Sequence, residues 1–432
     1  MDKIVRADDG NPHDGNLDKR PSKASIKSGT SKSKVDFFAA SKEPTEGKNL
    51  LCLSHLRWDF VWQRPQHLMS QAARTYRVHF WEEPKREQVA VPALQSYQTG
   101  DGIRVLTPII PEGMTLPDAT FAQRRLLDEY LATNGDNGID LLWYYTPLAL
   151  SFTKHLEANI VVYDNMDELS AFRGASPELL TYESTLFDRA DLVFTGGASL
   201  HKAKRSRHPR VYNFPSSVDS AHFRSARGQI ADPQDFVRIP HPRIGYFGVI
   251  DERLDYDLLS ALADLRTDWA FVMIGPFAKV DPLTLPRRQN IHWLGARSYC
   301  ELPVNLGCWD VGFMPFALNE ATRFISPTKT PEFLAAGLPI VSTPIADVID
   351  PYGTSGLVEI ANTAEQFAFS IERLMHRPRK KWLSLVDRHL EQISWTKTWL
   401  AMHEHIASRA ARSLPASQAN GTYPGLKNIE CM

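Results

Sequence analysis

Short apolar runs recur along this chain, and most are handed on to a stretch with helical spacing. In the first half the runs are 49–54, 78–81, 140–145, 159–164 and 191–195, with 102–110 as a further extended stretch. Helical spacing follows at 68–76 and at 121–131, where Leu126, Leu127 and Tyr130 share a face. A second cycle runs through strands at 243–248, 270–275, 291–295, 311–315 and 357–360, with helices at 256–265 and 364–375. Apolar strands that alternate with helices are those a parallel sheet buries on both faces. At 432 residues the chain exceeds one ordinary core, and two domains of roughly 180 residues each are expected. The prediction is an α/β protein of two doubly wound Rossmann-like domains facing one another across a cleft.

The boundaries follow from composition. Residues 1–47 are polar and rich in Ser, Lys, Asp and Gly, which predicts a disordered tail. Residues 48–226 form the first domain and 227–381 the second, joined by a Gly- and Pro-bearing linker at 227–242. Residues 382–412 read as helices packing back towards the first domain, with a break near Ser394, and 413–432 as a second disordered tail.

The densest signal lies at 324–343, where a loop, a short helix and a buried strand follow in immediate succession. Ser326 suits a helix N-cap and Pro327 the first helical position. Gly337 then stops the helix, and the β-branched run Ile340-Val341 starts the strand. Lys329 sits in the first turn, where a cation opposes the helix dipole. An anionic ligand at that terminus removes the conflict; the alternative is a solvated Lys on a surface helix. A second concentration of polar and aromatic side chains follows the first strand, from His55 to His67. Loops at the carboxyl ends of parallel strands are where open α/β sheets bind ligands. Arg57, Gln63, Arg64 and His67 are therefore candidate substrate contacts. Trp58, Phe60 and Trp62 read as a hydrophobic plug, with a pair to an acid as the structural alternative for Arg64.

A net charge of −1 gives no reason to expect a nucleic-acid partner. Four cysteines with no CxxC spacing read as scattered thiols. With no signal core and no bilayer-length apolar run, the expected location is cytoplasmic, with peripheral contact at the inner membrane face as an extension.

These residues together resemble the nucleotide-sugar glycosyltransferases of GT-B fold, in particular the large retaining group called family 4. The resemblance rests on Gly245-Tyr-Phe-Gly248, Phe271-Val-Met-Ile-Gly275, Val311-Gly-Phe-Met-Pro315 and the stretch from Ser326 to Thr343. The segment from Trp58 to His67, with Tyr163-Asp164 and Ser394-Trp395, resembles a bacterial polysaccharide-associated subgroup. The resemblance implies that the second domain holds the donor and the first the acceptor. The family's ribose-binding acid falls on Glu332, and a carboxylate can accept from two vicinal hydroxyls at once. Gly248, the loop Ser326, Pro327 and Thr328, and the point charge of Lys329 would meet the diphosphate. Arg253 matches a basic residue the family often places after the first strand of this domain, with a surface pair to Asp251, Glu252 or Asp255 as the alternative. One departure is plain: the family's additional glutamate, eight positions before Glu332, is Phe324 here, so the sugar contact would pass to Asn319 or Glu320.

The resemblance further implies transfer with retention onto a glycan or lipid-linked acceptor in cell-surface polysaccharide synthesis. It implies a UDP- or GDP-sugar as the substrate, with no cofactor and no metal. Asp164, at the end of a strand, is the candidate acceptor-side base beside Lys329 and Arg253, with a helix N-cap role as its alternative. Two other readings keep the fold: a module that binds sugar nucleotide without catalysis, and a nucleotide-sugar epimerase.

Overall fold

A computed structural model describes residues 47–134 and 138–413. The two predicted tails lie, but for their innermost residue, outside the described residues.

The first sheet holds β1 (Asn49–Leu53), β2 (Arg77–Trp81), β3 (Lys85–Glu87), β4 (Ala93–Gln98), β5 (Arg104–Pro111), β6 (Leu141–Tyr144), β7 (Ile160–Asn165), β8 (Leu192–Thr195) and β9 (Val211–Asn213). Its order is β3-β5-β2-β1-β6-β7-β8-β9, parallel throughout, with β4 added antiparallel to β5. The second sheet holds β10 (Arg243–Phe247), β11 (Ala270–Ile274), β12 (Ile291–Gly295), β13 (Val311–Met314), β14 (Ile340–Ser342) and β15 (Val358–Ile360). Its order, β12-β11-β10-β13-β14-β15, reverses direction at β10, so a crevice opens at the carboxyl ends of β10 and β13. The central strands β1, β6, β10, β11 and β13 are buried along their whole length, which is why their sequences lack alternation.

The segment joining the sheets differs from expectation. Val218, Phe223 and Ala226 already lie in the hydrophobic core of the second domain, so that domain begins some way before the predicted linker. The missing signal is a helix of only five residues, Ser220–Arg224, too short to show a period. The helix Arg379–Leu390 also belongs to the second domain, through Trp382, Val386 and Leu390. The chain then crosses over. The helix Trp395–Ser413 sends Trp395, Trp399, Met402 and Ile406 into the core of the first domain, packed with Trp58, Tyr76 and Trp143. Among the described residues no helix is long and apolar enough to cross a membrane.

Candidate active site in the cleft

The helix Lys329–Ala336 is buried from Thr330 onward and begins later than the sequence predicts. Thr328, not Ser326, precedes it, and no side chain caps it. Instead Thr330 N–H bonds the Pro327 carbonyl and Glu332 N–H the Thr328 carbonyl, so the chain is already turning. Among the described residues the amides of Ser326, Thr328 and Lys329 donate to no protein acceptor. An uncapped helix start with free amides is an anion-binding arrangement. Gly337, at φ 79°, ends the helix in the left-handed conformation that glycine tolerates.

That helix start faces a cavity of about 340 Å³ between the domains. The second domain lines it with Phe247, Gly248, Arg253, Gly275, Arg297, Tyr299, the loop 325–328, Lys329 and Glu332. The first domain contributes 58–64, Met166, Asp167, Gly196 and Ser216. Lys329 lies directly across Gly248: a Cβ built on Gly248 would stand 2.1 Å from Lys329 Cε and 2.5 Å from Nζ. Gly248 has φ +131°, which L side chains rarely adopt, so two independent reasons require glycine there. The Lys329 ammonium also sits 5.6 Å from the Tyr246 ring centre and 6.0 Å from that of Phe247. Burial and then the nearby Arg253 guanidinium hold Lys329 below the ordinary lysine range. Burial pushes Glu332, 6% exposed, above the usual carboxylate range, against the pull of Lys329. We expect Gly248→Ala to displace the Lys329 side chain and weaken nucleoside diphosphate affinity at least tenfold, with a thermal midpoint near the parent's; calorimetric titration with UDP and GDP checks this.

The structure brings Gly248, Arg253, Ser326, Pro327, Thr328, Lys329, Glu332, Gln63 and Arg64 to one cavity. Arg253 does this while paired to Asp251, with Nη2 2.7 Å from Oδ2 and Nε 3.0 Å from Oδ1. The pair is partly buried and directed at the cleft, so the surface alternative describes its partner but not its location.

Five candidates are placed elsewhere. Asp164 is fully buried, with Arg64 Nε 3.1 and 3.0 Å from its two oxygens and Nη2 2.8 Å from Oδ1. Arg64 Nη1 also donates to the Phe214 carbonyl at 2.7 Å, so this pair locks the first helix onto β7 and leaves Asp164 no access to an acceptor. The helix Arg64–Ala72 starts earlier than predicted because Gln63 N–H is capped by the Gln66 side chain and Pro65 fits its first turn. His67 is thereby buried, stacked on Trp395 with ring centres 4.7 Å apart, and burial lowers its pKa to about 3. It borders a different cavity, at the crossover between domains. Arg57 turns away to the Pro84 carbonyl. Asn319 caps a short turn through Thr322 N–H, and the exposed Glu320 pairs with Arg323, so neither replaces the acid missing at Phe324.

Residues that sequence reasoning passed over complete the site. Gly197 opens the helix Ala198–Lys204, whose Ser199 N–H donates to Asp347 Oδ1 across the cleft at 2.9 Å. A Cβ on Gly197 would fall 2.1 Å from Asp347 Oδ2 and 2.7 Å from Ser326 Cβ. Ser216 Oγ donates to the Ser326 carbonyl at 2.9 Å, also across the cleft. A requirement on Gly197 set by Asp347, about 150 positions later, leaves no local trace. Asp167 belongs to the same run of strand-end acids as Asp164, three residues further on.

Comparisons with known proteins agree with this architecture. Residues 241–377 match the family model described as glycosyl transferases group 1. A curated relative, the putative teichuronic acid biosynthesis glycosyltransferase TuaH of Bacillus subtilis, is 27% identical over 234 residues. That match takes in 50% of this chain and 59% of the relative's length. Among solved structures, an α,α-trehalose-phosphate synthase (UDP-forming) from Burkholderia xenovorans superposes with a TM-score of 0.62 at 13% identity, covering 83% of this chain and all of that one. Anabaena HepE in complex with UDP gives a TM-score of 0.53 at 13% identity, covering 83% of this chain and all of that one. The chain has the two-domain GT-B fold of these glycosyltransferase structures, and its residues 241–377 match the model of the glycosyl transferases group 1 family.

Proposed function

We propose that this chain is a glycosyltransferase that moves a sugar from a UDP- or GDP-sugar to a glycan or lipid-linked acceptor in polysaccharide biosynthesis, with retention and without a resident metal or cofactor. The observation that carries the reading is Lys329: a half-buried ammonium laid across Gly248 at a helix start with three free amides. Such a group is costly unless an anion is its partner. A diphosphate supplies that partner, and its charge grows as the glycosidic bond breaks, when fixed amides and cations stabilise it most. Glu332, buried in the first turn of the same helix, would accept the ribose hydroxyls. Arg253 and Lys329 give the leaving group two cations from the protein itself. The relative named for teichuronic acid synthesis and the neighbour crystallised with UDP support the substrate class.

A thermal-shift panel of UDP, GDP, ADP and their sugar conjugates, without added metal, tests this. One nucleotide at a hundredfold excess over its dissociation constant is expected to stabilise the protein by about 3 kcal/mol. No shift with any of them defeats the reading. A second reading, binding without turnover, draws on Phe324 and on the placing of Asn319 and Glu320 outside the cleft; a nucleotide sugar that binds but never releases its nucleotide favours it.

A further inference from the structure

Three carboxylates line the cleft: Asp59, Asp167 and Glu332. Asp59 accepts from the Tyr97 hydroxyl at 2.6 Å. Glu332 lies in the first turn of the helix that carries Lys329. The Asp167 carboxylate has no hydrogen bond or ion pair among the described residues, although its main chain is firmly held. The Asn165 side chain donates to its carbonyl at 2.9 Å. The adjoining Met166 carbonyl presses on Gly196, where a Cβ would come within 2.3 Å of it. Asp167 therefore presents, from a held main chain, a half-buried and unengaged carboxylate on the first-domain side of the cleft.

Its surroundings define what it can do. Burial raises its pKa to about 6; Arg253 and Arg64 pull it down, Asp251 pushes it up, and Lys329 pulls it down again. Glu168, its neighbour in the loop, is engaged by Lys204 at 2.7 Å. Arg64 is committed to Asp164, and Arg253 to Asp251. Asp167 thus lines the same cavity as Arg253 and Lys329, the cations that would hold the departing diphosphate, and feels the charge of both.

We propose that Asp167 takes the proton from the acceptor hydroxyl during transfer. The hydroxyl oxygen bonds to the anomeric carbon, the bond from that carbon to the diphosphate oxygen breaks with its electron pair leaving on the diphosphate, and the hydroxyl proton passes to an Asp167 oxygen. The assignment rests on the transferase reading above. It also gives the site a carboxylate from the opposite wall although Phe324 stands where the resembled family has an acid.

The test uses the full chain, with UDP-glucose, UDP-N-acetylglucosamine and GDP-mannose as donors and water as acceptor, following nucleotide release. The parent rate is expected to fall as pH drops through about 6, because the carboxylate must be ionised to accept the proton. Asp167→Asn is expected to lower the rate about a hundredfold or more and to erase that acidic limb. Its UDP affinity should equal or exceed the parent's, since a negative charge near the diphosphate has gone. Asp167→Glu should restore part of the rate together with the limb, which a merely structural role would not produce. An Asn variant with the parent's rate and limb overturns the assignment alone, as does a Glu variant that restores neither while binding UDP. A parent that binds none of these nucleotides overturns the transferase reading and this proposal with it.

Discussion

Lys329→Ala is expected to cut nucleotide-sugar turnover by about a thousandfold, in the range seen when one fixed donor to a developing oxyanion is removed. The ammonium is held by packing on Gly248 and by two aromatic faces, with no carboxylate in direct contact among the described residues. Its charge is therefore unspent until an anion arrives. The thermal midpoint of the variant should match the parent's or exceed it, because a cation leaves an unfavourable helix start. Affinity for UDP or GDP should fall with it, and the parent's affinity should weaken as pH rises. The sign follows from the shift: burial holds Lys329 below the ordinary lysine range, so its charge, and with it the attraction for diphosphate, is lost on going alkaline sooner than for an exposed lysine. Calorimetry at neutral and at mildly alkaline pH on both proteins checks this. An Ala variant binding within about threefold of the parent, or keeping the parent's alkaline loss, removes Lys329 from the donor site.

Asp164→Ala should lower the thermal midpoint by about 10 °C. Removing one partner of a buried ion pair costs about 3–5 kcal/mol, because the other charge stays behind unpaired. Here the remaining group is Arg64, 3% exposed, with its Nη1 still on the Phe214 carbonyl while Nε and Nη2 are left without the carboxylate they donate to. Replacing both residues together (Arg64→Met with Asp164→Leu) should recover much of the loss, since no buried charge is left over. Differential scanning calorimetry on the two single variants and the double decides it. A single Asp164→Ala variant as stable as the parent means that the pair carries no stability and reopens Asp164 as a chemical group.

The outcome for these two residues marks how far the sequence could be read. Lys329 stood out because a cation in the first turn of a helix breaks a local rule, whereas Glu332, Gly248 and Arg253 were reached through the family resemblance; one loop, one helix and one strand end bring all four to the cavity. Arg64 and Asp164 were each noticed, as an acceptor contact and as a base, but their mutual bond spans 100 positions and local pattern cannot report it. His67 was misjudged for a related reason: its partner, Trp395, lies on a helix that returns from the far end of the chain. The edge strand β4 was missed because its residues are mostly exposed and polar, the reverse of the buried runs that announced its neighbours.

That returning helix has a consequence for how the protein is made. The core of the first domain includes Trp395, Trp399, Met402 and Ile406, and Tyr76 hydrogen-bonds His403 at 3.1 Å across 327 positions. A ribosome delivers β1 to β9 first, yet leaves their aromatic seam bare until this last helix is built. At about 5–20 residues per second the interval is on the order of tens of seconds, during which the second domain can finish folding. The half made first is thus completed last, and its exposed Trp58, Tyr76 and Trp143 surface is the one a chaperone would have to shield.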